Sequence, residues 1–248
     1  EFRRVLFRSF CNIYSSFMQR AYDNVIHDVA IQDLPVVMCL DRGGLVGEDG
    51  VTHHGVFDMA AFGAVPGLTI AAPMNEPELR NMMYTALGSG HPFMIRYPRG
   101  HGEGLPWRGE KFETLPVGRG RRLREGADVA LLTVGTVGNA AARAAGRAAA
   151  EGVSVAHYDL RFVKPLDEAL LDEVGRKFRR VVTVEDGSLR GGVGEAVAAF
   201  FNGRGYDVRV QRLGIGDEWV EHGTPGQLYA LCGYDEEGIL RALLDTRA

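Results

Sequence analysis

The amino-acid sequence predicts an α/β protein made of two doubly wound domains with mostly parallel sheets. Three observations lead to this prediction. Short continuous runs of apolar residues alternate with longer segments of helical periodicity, which is typical of βαβ units. The alternation stops in a stretch rich in glycine, proline and charge between about residues 100 and 126, and then begins again. The 248 residues suffice for two domains of about 100 to 125 residues each.

In the first half, the pattern predicts a helix beginning at Ser15 or Ser16 and ending before Pro35, with apolar residues at three-to-four spacing. A second helix is predicted after Asn75, an N-cap residue followed closely by Pro77. Continuous apolar runs indicate buried parallel strands. The predicted strands are residues 36–40, 68–72 and 92–96.

The second half repeats the alternation with four predicted strands and five predicted helices. The strands are residues 129–134, 153–158, 181–184 and 208–213, and the helices are residues 140–150, 166–178, 194–202, 224–231 and 236–243. Four arginines at the end of the intervening stretch are expected in a solvated hairpin rather than an anion site: Arg119, Arg121, Arg122 and Arg124.

We therefore expect a first domain at residues 10–104, a linker at 105–125 and a second domain at 126–248. Residues 1–9 (EFRRVLFRS) place three arginines among apolar residues. They lack the apolar stretch of about 7 to 15 residues that a signal peptide needs. We expect this segment to be a foreign leader and exclude it from the prediction of the fold.

The composition excludes several classes of protein. With 28 Lys and Arg against 32 Asp and Glu, the net charge of −4 gives no basic excess for nucleic acids or anionic membranes. No run of about 18 apolar residues predicts a membrane span. Cys11, Cys39 and Cys232 have no metal-type spacing and are expected to be buried thiols in a reducing compartment, the cytoplasm. The 33 glycines are nearly twice the usual share and indicate ligand-binding loops.

The loop after the first predicted strand, residues 41–55, is the first candidate site, because ligands of parallel sheets bind at the carboxyl ends of strands. It combines five glycines with two adjacent histidines, three carboxylates and an arginine. Histidine can transfer protons near neutral pH, and arginine can bind phosphate or carboxylate. The alternative is a polar surface loop without function. We call residues 41–55 the glycine loop.

A second loop, residues 96–100, leaves the same edge of the predicted sheet and contains Arg99. Convergence of Arg42 with Arg99 would favour an anionic substrate, although both arginines could equally pair with surface acids. The glycine clusters at residues 135–138 and 191–194 do not match a dinucleotide fingerprint, and we expect them to allow close packing of helices on the sheet. No metal-ligand spacing occurs in the sequence.

Four separated motifs resemble, in order, the family of 1-deoxy-D-xylulose-5-phosphate synthases, transketolase-like enzymes that use thiamine diphosphate. The motifs are residues 13–23 (IYSSFMQRAYD), the glycine loop, residues 96–100 (RYPRG) and residues 159–167 (DLRFVKPLD). The resemblance implies a transferase that joins pyruvate to D-glyceraldehyde 3-phosphate and releases CO2, for isoprenoid, thiamine and pyridoxal biosynthesis. It also implies Mg²⁺ as a second cofactor, a homodimer and a cytoplasmic location.

The same resemblance assigns roles to individual side chains. Phe17 is expected to stack on the aminopyrimidine ring of the cofactor. Tyr14, Asp49 and His53 are expected to line the reaction centre, where His53, rather than its neighbour, would move a proton and orient pyruvate.

The phosphate of the aldehyde substrate is expected to bind Arg42 and Arg99, with Arg20 nearby. Members of this family hold Mg²⁺ and the diphosphate through a large N-terminal domain, which also carries an activating glutamate. Neither feature is found in this sequence. We therefore expect a C-terminal fragment that is inactive alone. The alternatives are the C-terminal subunit of a split enzyme and a non-catalytic module for subunit contact.

Overall fold

The computed structural model describes residues 9–245 and contains two mixed, mostly parallel sheets. The first has the strand order β1-β2-β4-β3-β8 and the second the order β10-β9-β6-β7-β5. The first sheet consists of β1 (Ser9–Tyr14), β2 (Val36–Asp41), β3 (Thr69–Ala71), β4 (Phe93–Arg96) and β8 (Phe162–Lys164). The second consists of β5 (Arg121–Arg124), β6 (Val129–Val134), β7 (Val155–Asp159), β9 (Arg180–Ser188) and β10 (Arg209–Ile215). The predicted fold class is confirmed.

Helices cover the sheets. The first helical region is irregular: α1 (Ser15–Met18), a 3-10 turn (Gln19–Ala21), α2 (Tyr22–Asn24) and a π-helical stretch (Val25–Ala30) follow one another. The remaining helices of the first half are α3 (Asp58–Gly63) and α4 (Glu76–Ser89), and those of the second half are α5 (Val137–Ala150), α6 (Glu168–Lys177), α7 (Val193–Gly203), α8 (Pro225–Leu231) and α9 (Glu236–Leu244). No helix of residues 9–245 has both the length and the apolar content needed to cross a membrane.

Both sheets are buried on two faces, which explains why their central strands are continuous apolar runs. In β2, Met38 and Leu40 pack into a core on one side of the first sheet, whereas Val37 and Cys39 pack into a core on the other side. The strands of the second sheet divide their side chains between two cores in the same way. Each sheet therefore lies between two apolar layers, as the doubly wound prediction requires.

Local sequence signals place the helices that pack on these sheets. The side chain of Asn75 accepts a hydrogen bond from the backbone N–H of Glu78 at 3.1 Å, and Pro77 lies in the first turn of α4. That helix ends at Gly90, whose φ of 75° suits glycine. In α5, Ala144 and Ala148 are fully buried one turn apart, so the helix backbone can lie close to the second sheet.

Four short elements were not predicted: β1, β5, β8 and α3. Two of them are edge strands that pair antiparallel with a parallel sheet, β5 with β7 and β8 with β3. Strand β8 follows β7 in the chain but joins the first sheet, so the second half of the chain completes the sheet of the first half. The first eight residues of the expected leader lie outside the described residues, and Ser9 begins β1.

The prediction of a solvated arginine hairpin was wrong for Arg121. Its guanidinium lies 2.9 Å from Glu78 of the first domain and 3.1 Å from Asp159 of the second, and both carboxylates are buried. Arg161 also pairs with Glu78, at 2.7 Å. These residues form an ionic bridge between the domains, because a buried carboxylate requires a close cation.

The prediction of three buried thiols was wrong for Cys11, which is exposed on the edge strand β1. Cys39 is buried, Cys232 is partly buried, and all three are free. Burial raises the pKa of the Cys39 thiol to about 11.

A buried histidine in the second sheet makes the stability of this fold pH-dependent. His157 in β7 is 2.9 Å from the Thr133 hydroxyl, and burial, with the nearby charges of Arg121 and Arg124, lowers its pKa to about 4. An unfolded histidine titrates near 6.5. Since the folded pKa is the lower one, His157 destabilises the fold as the pH falls from about 6.5 to 4, by at most about 1.4 kcal/mol per pH unit.

We therefore expect His157→Gln to flatten the dependence of the free energy of unfolding on pH between 4 and 6.5, measured by urea titration at several pH values. The control is His101→Gln at an exposed position, which should keep the wild-type slope. Equal slopes for all three proteins would contradict the assignment.

Candidate active site

The glycine loop follows β2 at the carboxyl edge of the first sheet and depends on backbone angles that favour glycine. Gly44, Gly47 and Gly50 have φ values of 88°, 87° and 67°. The ends of the loop pair through two hydrogen bonds of 2.8 Å between the backbone groups of Gly44 and Gly55. A Cβ atom on Gly44 would lie 1.9 Å from a carboxylate oxygen of Asp186, so no other residue fits there.

Three of the candidate residues form a cluster of rings beside this loop. Tyr14 ends β1 and Phe17 lies in α1, which brings both to the same edge as the glycine loop. The ring centroids of Tyr14 and Phe17 are 5.3 Å apart, and those of Phe17 and His53 are 5.4 Å apart. Phe17 is 39% exposed, so the cluster offers an aromatic surface to a flat ligand.

Arg42 lies over one of these rings, and both Arg42 and Arg99 are paired with acids. The guanidinium of Arg42 lies 3.8 Å above the centre of the Tyr14 ring and 2.7 Å from Asp41. Arg99 lies 2.9 Å from Asp49, and the two side chains are 39% and 37% exposed. The pairing with acids that the sequence left open is thus present, but in ion pairs that solvent or a ligand can reach.

The two adjacent histidines have different environments. His53 is partly exposed, and its Nδ1 atom lies 2.9 Å from the hydroxyl of Thr52. His54 is 5% exposed, and its Nδ1 atom accepts a hydrogen bond from the backbone N–H of Val46 at 3.1 Å. Only His53 is therefore placed where it can meet a substrate.

Arg20 is the one candidate that the structure does not bring into this group. It lies exposed on the 3-10 turn after α1. Within residues 9–245, no hydrogen bond or ion pair joins it to the other candidates.

A buried polar network holds the backbone of the glycine loop, and it was not predicted from the sequence. Arg96 at the end of β4 donates to Asp58 from Nε at 2.8 Å and to the backbone oxygen of Asp186 from Nη2 at 2.9 Å. Asp58 also accepts from the Ser15 hydroxyl at 3.0 Å. The Asp186 carboxylate accepts from the backbone N–H of Leu45 in the glycine loop at 3.0 Å.

The network joins both domains to the loop. Asp186 belongs to β9 of the second domain, and its carboxylate accepts a hydrogen bond of 2.7 Å from the hydroxyl of Tyr234. Burial raises the pKa of the Asp186 carboxyl, while the charge of Arg96 opposes this shift. Desolvation lowers the pKa of Arg96, but Asp58 and Asp186 outweigh it and the pKa is raised. The one available sequence signal was the position of Asp186 two residues after a predicted strand.

A cavity of about 570 Å³ lies between the two domains and borders this site. Its walls include Tyr97 and Arg99 from the first domain and Asn139, Arg143 and Tyr229 from the second. Within residues 9–245 there is no group of three or more His, Cys, Asp or Glu side chains that could hold a metal ion. The exposed face of Phe17 and the guanidinium groups beside it suit a flat ring and an anion.

Comparison with known proteins identifies the family. The family model of the transketolase pyrimidine-binding domain matches residues 2–103, and that of the transketolase C-terminal domain matches residues 118–239. The chain belongs to the transketolase family.

Within this family, the sequence is similar to 1-deoxy-D-xylulose-5-phosphate synthases, as its motifs predicted. It is 60% identical to that of Bacteroides fragilis over 96% of this chain and 37% of the relative. It is also 60% identical to that of Bacteroides thetaiotaomicron, over 95% of this chain and 36% of the relative. The chain thus spans little more than a third of the length of these curated relatives.

The fold has a counterpart among solved structures. A structure described as "Split gene transketolase, inactive beta4 tetramer" superposes with a TM-score of 0.84 at 26% sequence identity. The match covers 94% of this chain and 74% of that chain.

We expect Asp58→Asn to lower the free energy of unfolding by about 3 to 5 kcal/mol, because it leaves the buried charge of Arg96 without its ionic partner. Urea denaturation measures the loss. Asp33→Asn is the matched control, since it removes the exposed partner of His91 and should cost less than about 1 kcal/mol. The double variant Asp58→Leu with Arg96→Met should recover part of the loss. Similar losses for Asp58→Asn and Asp33→Asn would contradict the role of the buried pair.

Proposed function

We propose that this chain provides the pyrimidine side of a thiamine diphosphate site that makes 1-deoxy-D-xylulose 5-phosphate and CO2 from pyruvate and D-glyceraldehyde 3-phosphate. The observation that carries the proposal is the ring cluster of Tyr14, Phe17 and His53 beside two exchangeable ion pairs, at the carboxyl edge of a parallel sheet. The similarity to 1-deoxy-D-xylulose-5-phosphate synthases supplies the substrate class.

When bound, thiamine diphosphate supplies the carbon nucleophile and the electron sink for loss of CO2. In our proposal, Phe17 stacks on the aminopyrimidine ring, and its exposed face is available for this contact. Tyr14 lies behind Phe17 and holds the Arg42 guanidinium against its own ring. These contacts hold Phe17 in place, so that it would offer a fixed aromatic surface to the aminopyrimidine ring.

His53 is the proposed group for proton transfer and for orienting pyruvate. An imidazole side chain can both accept and donate a proton in general acid–base catalysis. Thr52 engages its Nδ1 atom, which leaves Nε2 for the substrate. Asp49 lies in the same loop, where its negative charge is balanced by Arg99.

Arg42 and Arg99 are the proposed ligands of the aldehyde's phosphate, with Arg20 nearby. Each of the first two must exchange a carboxylate, Asp41 or Asp49, for the phosphate. The exposed pair Arg99–Asp49 is worth only about 0 to 1 kcal/mol, so its exchange costs little, whereas the pair Arg42–Asp41 is partly buried. A doubly charged phosphate then gains charge-assisted hydrogen bonds from the guanidinium groups.

Residues other than those described must supply the ligands of Mg²⁺ and of the diphosphate in this proposal. We place them in an N-terminal domain that works together with this chain in a cytoplasmic homodimer. A second candidate is a split enzyme in which a separate polypeptide carries that domain. The similarity of the fold to a split-gene transketolase supports this second candidate.

We expect His53→Ala to reduce turnover at least 100-fold in the complete enzyme, because general acid–base catalysis contributes about 10² to 10⁴. Steady-state formation of 1-deoxy-D-xylulose 5-phosphate measures the effect. His91→Ala, at an exposed position far along the chain, is the control and should keep wild-type turnover. Wild-type turnover in His53→Ala would refute the role of this histidine.

The purified 248-residue chain, given thiamine diphosphate, Mg²⁺ and both substrates, is expected to show no turnover. Addition of the N-terminal domain of a relative, expressed as a separate polypeptide, should restore measurable CO2 release. Turnover by the chain alone would show that the cofactor needs no ligands beyond those in this sequence.

A further inference from the structure

His54 lies in the glycine loop and faces the second domain, and its hydrogen bonds define its tautomer. The Nδ1 atom accepts the backbone N–H of Val46 at 3.1 Å, so Nδ1 carries no proton. The Nε2 atom lies 3.4 Å from the backbone oxygen of Glu221, which can only accept. His54 is therefore a neutral imidazole with its proton on Nε2, joining two segments 167 residues apart in the chain.

The backbone of Val46 continues this connection towards the candidate phosphate site. Its N–H donates to His54, and its carbonyl oxygen accepts from Nη1 of Arg99 at 3.3 Å. The same Nη1 atom donates to Asp49 at 2.9 Å. A chain of contacts thus runs from the second domain through His54 and the backbone of Val46 to Arg99 and Asp49.

The second domain also contacts the turn of the glycine loop directly. A Cβ atom on Gly47 would lie 2.9 Å from the ring of Pro225, and one on Gly50 would lie 3.2 Å from the Cβ atom of His222. The backbone N–H of Gly223 lies 3.5 Å from the Gly47 oxygen. The loop therefore rests against residues 221–225, and His54 is the side chain that bonds the two segments.

We propose that His54 is a positioning residue: it ties the glycine loop to the second domain and, by fixing the backbone of Val46, sets the orientation of Arg99. The effect of His54 on the backbone of Val46 is inferred from the structure alone. Its consequence for the aldehyde substrate rests on the proposed function, in which Arg99 binds the phosphate.

Two substitutions separate the two hydrogen bonds of His54. In His54→Asn, the amide oxygen can replace Nδ1 as the acceptor for Val46, but the side chain is too short to reach Glu221. In His54→Gln, the amide nitrogen can replace Nε2 as the donor to Glu221, and the Val46 N–H loses its acceptor. His54→Leu removes both bonds at similar volume, and His91→Leu is the exposed control.

The first measurement is amide hydrogen exchange of Val46 in the 248-residue chain, which needs no cofactor or substrate. Exchange of Val46 relative to Ala145 in α5 should rise at least about fivefold in His54→Gln and His54→Leu, because one hydrogen bond is lost. It should stay within about twofold of wild type in His54→Asn and His91→Leu. Equal exchange in the Asn and Gln variants would overturn the proposal, even if the Leu variant does not fold.

The second measurement is the steady-state kinetics of the complete enzyme. His54→Gln should raise KM for D-glyceraldehyde 3-phosphate about fivefold to tenfold, more than it changes kcat or KM for pyruvate, and His54→Asn should restore the wild-type value. A fall in kcat alone would indicate a purely structural role and overturn the positioning of Arg99. If no variant, including wild type, turned over the substrates, the proposed function would fail while the exchange result still decided the role of His54.

Discussion

The buried guanidinium of Arg96 is the interaction on which the arrangement of the site depends. A buried charge is tolerated only when it is paired and its hydrogen bonds are made, and Arg96 achieves this with one group from each domain. Asp58 comes from the first domain and the Asp186 backbone from the second. The arginine can therefore stay buried only while the domains remain in this orientation. Its own strand, β4, leads directly into the loop that carries Arg99.

The glycines of the loop follow from the same constraint. Because the domains meet directly above Arg96, the chain between them has little room for side chains. A Cβ atom on Gly44 would lie 1.9 Å from a carboxylate oxygen of Asp186, and one on Gly47 would lie 2.9 Å from the ring of Pro225, both in the second domain. The glycine excess in the composition thus marks, at this place, a close approach of two domains around a loop, in addition to positive φ angles.

The elements that could be predicted from the sequence are those whose signal is local. Strand β6 was predicted with the observed bounds because all six of its residues are buried and apolar enough to form a continuous run. Strands β1 and β8 were missed because they are edge strands: β1 is mostly exposed, and β8 has three residues and pairs with a strand more than ninety positions earlier. An edge strand has too few buried positions to produce an apolar pattern.

The candidate site likewise contains residues that have a local sequence signal and residues that have none. Histidines, arginines and glycines in one loop signalled a site because they lie together in the sequence. The supporting network did not, since Asp58 and Asp186 are separated by more than a hundred residues and each resembles an ordinary polar residue at the end of an element. Likewise, residue type alone does not distinguish His53 from His54, and only the resemblance to the synthase family separates them in the sequence. In the structure their environments differ, because the second domain covers His54 and leaves its neighbour at the surface.

The magnitudes of these interactions explain how one loop can be both rigid and receptive. The pairs that hold the backbone are buried, and breaking one costs several kcal/mol, about 3 to 5 for an ion pair such as Arg96 with Asp58. The pair at the surface of the loop, Arg99 with Asp49, is more than a third exposed on both sides and is worth about 1 kcal/mol or less. An incoming phosphate can therefore replace Asp49 without disturbing the backbone beneath it. Under the proposed function, the second domain acts on the reaction by keeping that backbone in place while the side chains above it exchange partners.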